Sequence, residues 1–470
     1  MKNIYKSLCF LSIIILLVPY NKIKGQPKTL LLNQLKIRYL VTPPDGGDIF
    51  WKLLNHDDSG WEKATDLEEL SKKITDEKIE EVWIRIERNV SPQSLNNSYF
   101  EISHSGPLEI FVNGLQWGAS NKPTTKPENF IIGPRRPENL GENLYAIHFK
   151  NKSGDVLFNI KLMNSEWLNM DSPYKKPQPV IDVMMRDAEI CKGGDGAYYM
   201  TGTTGDKDFM LPGPKSWLIS KGIQVFRSVD LKNWKSLGYV WTFEKNGTWQ
   251  NEFGTFAGRG PARGIFAPQI HYIKGKYWIC YSVSHSTPGH SFGISLLYSD
   301  KPEGPYKDIS PAAPITDGFD SDLFEDDDGK VYLLKQGGLI ARLKDDMSGL
   351  AEPFRSLKAK NYPYIGYEGV FLFKRNGKYY LTSADWNVHS DGKTSYDSMV
   401  GIADNIYGPY GDRFCGVRFG GNNSYFKGPN NEWYATVWCY PDSGPFWQKV
   451  SILKVKFNSD GLFRPVDIVN

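Results

Sequence analysis

At 470 residues the chain is longer than one hydrophobic core supports and long enough for two domains. Aromatics at 14%, with 45 Gly and 29 Pro, favour strands and tight turns over helices and predict a mainly β protein. The formal charge of +3 leaves no basic footprint for nucleic acid, because four of the lysines and no acid fall in residues 1–25 and the remainder is slightly acidic.

Residues 1–25 read as a secretory signal. Lys2 and Lys6 precede an apolar run, Leu8 to Val18, that is short for a bilayer span, and Lys24-Gly25-Gln26 offers a small-residue cleavage point. The reading implies a periplasmic or extracellular protein with no membrane contact beyond the signal; the alternative is an N-terminal membrane anchor. Cys9 has no small-residue lipobox before it, and no later run reaches transmembrane length. Cys191, Cys280, Cys415 and Cys439 remain, at spacings that match no metal or disulfide framework. Cys191 and Cys280 read as small core residues, and a Cys415–Cys439 pair is open.

Residues 39–163 read as a first domain. One helix is predicted around Leu67–Lys78. Strands are predicted over Glu81–Val90, Tyr99–Ser103, Leu108–Val112, Leu144–Phe149 and Val156–Leu162, from alternation of apolar and polar residues. Asn113-Gly114 is a hairpin signal. The pattern suggests a β-sandwich. The order Asp58-Ser59-Gly60-Trp61, Val82-Trp83-Ile84-Arg85, Glu109 to Gly114, and Gly141 to Tyr145 resembles the galactose-binding-like, jelly-roll sandwich of many bacterial glycoside hydrolases. The resemblance implies a domain that binds carbohydrate or braces a catalytic partner. Trp51, Trp61, Trp83 and Trp117 are candidates to stack on sugars, with core packing the alternative for Trp61 and Trp83. The Pro- and Lys-rich residues 164–180 read as a linker.

Residues 181–470 repeat. A turn, an aromatic-rich pair and a strand recur at Gly196 to Tyr199, Gly275 to Trp278, Gly329 to Tyr332, Gly377 to Tyr380 and Asn431 to Tyr434. The last aromatics lie 79, 54, 48 and 54 residues apart, so the units are blade-sized and the first interval holds an insertion within 205–265. Five copies predict an all-β chain: a sandwich followed by a five-bladed β-propeller.

A propeller gathers the starts of its inner strands around one funnel. Asp187, Asp320 and Glu368 stand at comparable points ahead of three repeats. Crowded carboxylates raise one another's pKa, and glycosidic cleavage needs one protonated and one ionised carboxyl. Arg186-Asp187, Ser228 to Trp234, Phe266-Ala267-Pro268, Phe319-Asp320 through Gly329, and Glu368-Gly369 together resemble glycoside hydrolase family 43 over about 181–470. The resemblance implies an inverting, exo-acting hydrolase of arabinofuranosides, xylosides or galactans. Asp187 would be the general base, Glu368 the general acid and Asp320 the group that tunes and orients the acid. Asp326 to Asp328 read as a turn.

Three departures bear on the site. Ala188 replaces the Pro that usually follows the base, and Gln269 replaces an Asp or His. Gly421-Asn422-Asn423-Ser424 stands where the family offers Gly-His-Asn-Ser, which withdraws the His that serves a central calcium; no cofactor is expected to be required. Arg186, Gln269, Trp386 and Asn422 are the candidates to bind sugar. Trp217, Trp249, Trp438, Phe446, Trp447, His285, His290, Arg259 and Arg263 are further options. The expected partner is an oligo- or polysaccharide, acted on by a monomer. Two alternatives stay open. One is a non-catalytic carbohydrate-binding propeller, favoured by Gln269 and Asn422. The other is a neighbouring propeller hydrolase, such as the neoagarooligosaccharide hydrolases, whose acid would be His271 or His389.

Overall fold

The computed structural model describes residues 35–42, 49–151, 154–164, 178–205, 220–251, 264–284, 292–389, 392, 394–438 and 448–468. The proposed signal and most of the 164–180 segment lie outside them. Lys36–Asn470 forms one compact unit.

The chain first builds two antiparallel sheets. The larger runs, in spatial order, Glu62–Ala64, Lys36–Val41, Glu81–Val90, Gly141–Lys150, Leu108–Val112 and Leu115–Ser120. The smaller sets Ser98–His104 between Thr124–Ile131 and Phe158–Asn164. Rings meet across the two sheets, Phe100 on Tyr145 at 5.4 Å and Phe149 on Phe158 at 5.0 Å. The Asn113-Gly114 hairpin forms, with Val112 opposite Leu115 and both turn residues at positive φ, as a type I′ turn requires. The helix spans Leu67–Asp76, capped by Asp66, whose carboxylate accepts from the Glu69 amide at 2.8 Å. It stops short of the expected Lys78 because that residue turns left-handed, φ 53°. A second helix, Pro92–Asn97, carries no apolar periodicity and was not legible in the sequence. Trp61 and Trp83 are buried and pack with Trp51 and Phe111, so they serve the core rather than sugar; Trp117 is exposed.

Five further sheets follow, four of them of four consecutive antiparallel strands and the second of five. Blade 1 holds Met185–Lys192, Tyr198–Thr204, Gly222–Ser228 and Lys235–Thr242. Blade 2 holds Ile265–Ile273, Lys276–Ser284, Phe292–Ser299 and Lys307–Asp308, with a short extra strand, Thr316–Asp317, beside the third. Blade 3 holds Ser321–Glu325, Val331–Lys335, Leu339–Arg342 and Arg355–Ser356. Blade 4 holds Glu368–Arg375, Lys378–Val388, Thr394–Ala403 and Phe414–Val417, and blade 5 Tyr425–Lys427, Trp433–Val437, Ser451–Phe457 and Phe463–Ile468. Each first strand neighbours the first strand of the next blade, and that of blade 5 returns to blade 1. This is the expected five-bladed propeller. Apolar side chains fill the spaces between blades, as Tyr362, Leu381 and Tyr410 do between blades 3 and 4. The ring is closed by backbone: Val180 N–H donates to Val450 O and Met185 N–H to Gln448 O, both at 2.8 Å, with Met184 bridged to Lys449. The extra length of the first interval falls in two places, 205–221 within blade 1 and 243–264 before blade 2.

Candidate active site

Every inner strand is entered through a residue of left-handed backbone: Asp187 (φ 52°), Ala267 (41°), Asp320 (52°), Gly369 (65°) and Gly421 (58°). In blades 1, 2 and 4 the register slips just after it, between Arg186 and Glu189, Phe266 and Gln269, and Glu368 and Phe371. Such a bulge turns the strand end and re-aims the side chain there. Asp tolerates this conformation; Ala267, followed by Pro268, does so against both its own sterics and those of the proline.

The repeat corrects one expectation. Asp187 and Asp320 occupy the equivalent left-handed position, but Glu368 stands one residue earlier, and Gly369 takes that position. The reason is close packing. A Cβ on Gly369 would come within 2.8 Å of the Asn422 Cβ, so blade 4 cannot carry a side chain there, and its carboxylate enters from the preceding residue.

The three carboxylates share one electrostatic environment. Thr203 Oγ1 donates to Asp187 Oδ2 at 2.8 Å, while Thr203 Oγ1 itself accepts from the Ala267 amide at 2.7 Å. The Gly369 amide donates to Asp320 Oδ2 at 2.8 Å. Glu368 Oε1 accepts from two phenols, Tyr396 at 2.5 Å and Tyr367 at 2.9 Å. Burial pushes the Asp187 carboxyl above its ordinary range, aided by the charge of Glu368 and opposed by Arg186 and Thr203. Asp320 is pushed up further, by burial first and then by the charges of Glu368 and Asp187. Burial beside Glu368 likewise keeps the Tyr396 phenol protonated. Arg186 opposes the rise in both aspartates, which still give up their protons at higher pH than isolated acids would.

An aromatic wall runs from the acid side of the site to Arg186. Trp386 Nε1 donates to the Tyr367 hydroxyl at 3.1 Å, and its ring lies 5.1 Å from that of Tyr396, its cross-strand partner. Tyr396 meets Trp438 at 5.9 Å, and the Arg186 guanidinium sits 4.5 Å from the centre of the Trp438 ring. Trp386 and Arg186 are thus brought to the carboxylates, as expected. Thr203, Tyr367 and Tyr396 were missed, because each arrives through cross-strand register or through a hydroxyl that no local motif marks.

Gln269 and Asn422 are placed differently from the expectation. Gln269 is buried and donates from Nε2 to Val370 O at 3.3 Å, a contact between blades. Asn422 is buried against Gly369, and its carbonyl accepts from Trp438 Nε1 at 3.2 Å. The Gln269 amide thus links two blades, and the Asn422 bond to Trp438 is made by its backbone carbonyl. His271 lies a layer below the acids between Glu189 and Asp322, at 3.3 and 3.4 Å, and burial lowers its pKa to about 3. His389 is buried and bonded to Ser395 and Asp397. Neither histidine stands with the three acids. Trp249 is buried. Asp326 to Asp328 form the expected turn, with the Gly329 amide donating to Asp326 O. Trp217, Phe446, Trp447, His285, His290, Arg259, Arg263 and Cys439 lie outside the described residues. Among the described residues no three His, Cys, Asp or Glu side chains gather as a metal-binding group.

Comparison with known proteins matches residues 176–463 to the model for Glycosyl hydrolases family 43. A xylan 1,3-beta-xylosidase from Vibrio sp is 28% identical across 49% of this chain and 41% of its own length. A non-reducing end alpha-L-arabinofuranosidase from Bacteroides ovatus is 26% identical across 49% of this chain and 39% of its own. The chain thus spans about two fifths of the length of these curated relatives. A GH43 beta-xylosidase/alpha-arabinofuranosidase structure from a compost microbial metagenome is 18% identical, with a TM-score of 0.49 over 62% of this chain and 98% of that one. The family match takes in blades 1 to 4, the first three strands of blade 5 and the three carboxylates, and the chain belongs to glycosyl hydrolase family 43.

Proposed function

We propose that the chain is an exo-acting glycoside hydrolase that removes pentosyl units from polysaccharide side chains with inversion at the anomeric carbon. The observation that carries this reading is the gathering of Asp187, Asp320 and Glu368 at the starts of three inner strands, where the charge of Glu368 acts on both aspartates. The names of the relatives, xylosidase and arabinofuranosidase, support the sugar class. Asp187, ionised and held by Thr203, takes a proton from the water that attacks the anomeric carbon. Glu368 gives its proton to the departing glycosidic oxygen. Both phenols donate to Oε1, which leaves Oε2 as the oxygen that carries that proton. Asp320, held by the amide of Gly369 directly after Glu368, orients the acid.

Asp187→Asn and Glu368→Gln are each expected to lower kcat on aryl β-D-xylosides or aryl α-L-arabinofuranosides by about 100-fold or more. Circular dichroism should stay unchanged, and proton NMR of the first product should report the inverted anomer. Wild-type turnover in both variants would overturn the assignment. Export is part of the same proposal, on the strength of residues 1–25. N-terminal sequencing of the chain from its native host is expected to begin near Gln26, and an intact Met1 would refute it.

A further inference from the structure

The second strand of blade 4, Lys378–Val388, outruns its inner neighbour. The first strand pairs with it only as far as Ala384, opposite Glu368. The tip beyond, Asp385 to Val388, keeps its other neighbour, Thr394–Ala403, but has no blade strand on the inner side. That tip carries Trp386, whose indole N–H holds the Tyr367 hydroxyl that in turn donates to Glu368. The helix Pro92–Asn97, which connects strands of the N-terminal sheets, takes the place of the missing strand. Asn96 grips Val388 like a paired backbone: its Nδ2 donates to Val388 O at 2.9 Å and its Oδ1 accepts from Val388 N–H at 3.1 Å.

Arg135, from the loop after Thr124–Ile131, is buried and binds Asp385 Oδ1 and the Tyr362 hydroxyl, with Tyr364 at 3.3 Å. Arg413 binds the other Asp385 oxygen at 2.7 Å and the Asn96 carbonyl at 2.9 Å. Asp385, Arg413 and Asn96 are all fully buried. Successive residues of a strand point to opposite faces. The clamp on Asp385 therefore fixes, on the other face, the ring of Trp386 against Tyr396 and Tyr367.

We propose that the N-terminal sheets are a fixed part of the catalytic machinery, with Arg135 and Asn96 as positioning residues that hold the overhanging tip of blade 4 and so set the geometry of Glu368 through Trp386 and Tyr367. The inference rests on the reading of Glu368 as the general acid. A misplaced acid hurts most where the leaving group needs a proton. In Arg135→Met, kcat on phenyl β-D-xyloside or phenyl α-L-arabinofuranoside is expected to fall about tenfold or more, and on the dinitrophenyl glycosides by less than about twofold. KM should stay within about twofold, and Arg135→Lys should restore part of the loss. Asn96→Ala should give the same pattern, which covers the case in which Arg135→Met fails to fold.

A second readout is independent of turnover. With 5-fluorotryptophan incorporated, the fluorine resonance of Trp386, assigned through Trp386→Phe, is expected to move towards that of a solvated indole in Arg135→Met. An equal loss of kcat on both leaving groups, or no loss, together with an unmoved Trp386 resonance, would overturn the inference. If the wild-type chain cleaves neither glycoside, the proposed function fails and the fluorine resonance alone decides the positioning role.

Discussion

Asp320 carries the largest electrostatic burden in the site, and its replacement separates stability from function. Its carboxyl is buried, repelled by Glu368 and Asp187, and so binds a proton more tightly folded than unfolded. The folded state therefore gains stability below the unfolded value of 3.8 and loses it as pH rises through the elevated folded pKa. Asp320→Asn removes that loss. The variant is expected to be more stable than wild type at neutral pH by on the order of 1 kcal/mol, with the difference closing near pH 4, as thermal unfolding at several pH values would report. Its hydrolysis should be lost over the same range. The identities of the three acids were legible in the sequence because each opens a repeat. Their partners were not. Thr203 reaches Asp187 from the neighbouring strand, and Tyr396 reaches Glu368 from the third strand of its blade, contacts that register alone creates.

Among the elements, the left-handed entry to each inner strand does the positioning. Gly369 shows what it costs. With φ at 65° and the Asn422 Cβ only 2.8 Å from where the added Cβ would stand, Gly369→Ala is expected to destabilise the fold by about 1–3 kcal/mol, read as a lowered urea midpoint. It should also lower kcat more than it raises KM, because Glu368 is the preceding residue. Alternation made strands such as Glu81–Val90 and Leu108–Val112 readable to the residue. The bulges were not readable, since two residues opposite one break the alternation from which a strand is inferred. The one-residue offset of Glu368 from Asp187 and Asp320 was hidden for the same reason.

Over the whole molecule, the aromatic repeat was sufficient to count five blades, but the union of propeller and N-terminal sheets left no trace in the sequence. Arg135 and Asp385 are 250 residues apart, and nothing near either announces a buried ion pair. The Pro-rich stretch between the two parts reads as a linker, and Lys36–Asn470 forms one compact unit whose two parts meet through desolvated polar groups. The backbone closure at Val180 to Met185 has a consequence for how the protein comes into being. The third strand of blade 5 begins just past Gln448 and Val450, which pair with chain made some 265 residues earlier. During synthesis blades 2 to 4 can each find the preceding blade as they emerge, but blade 1 waits with one flank bare until the ribosome has nearly finished. The Asp187 strand, on that flank, is thus among the earliest parts of the propeller to be made and among the last to be sealed.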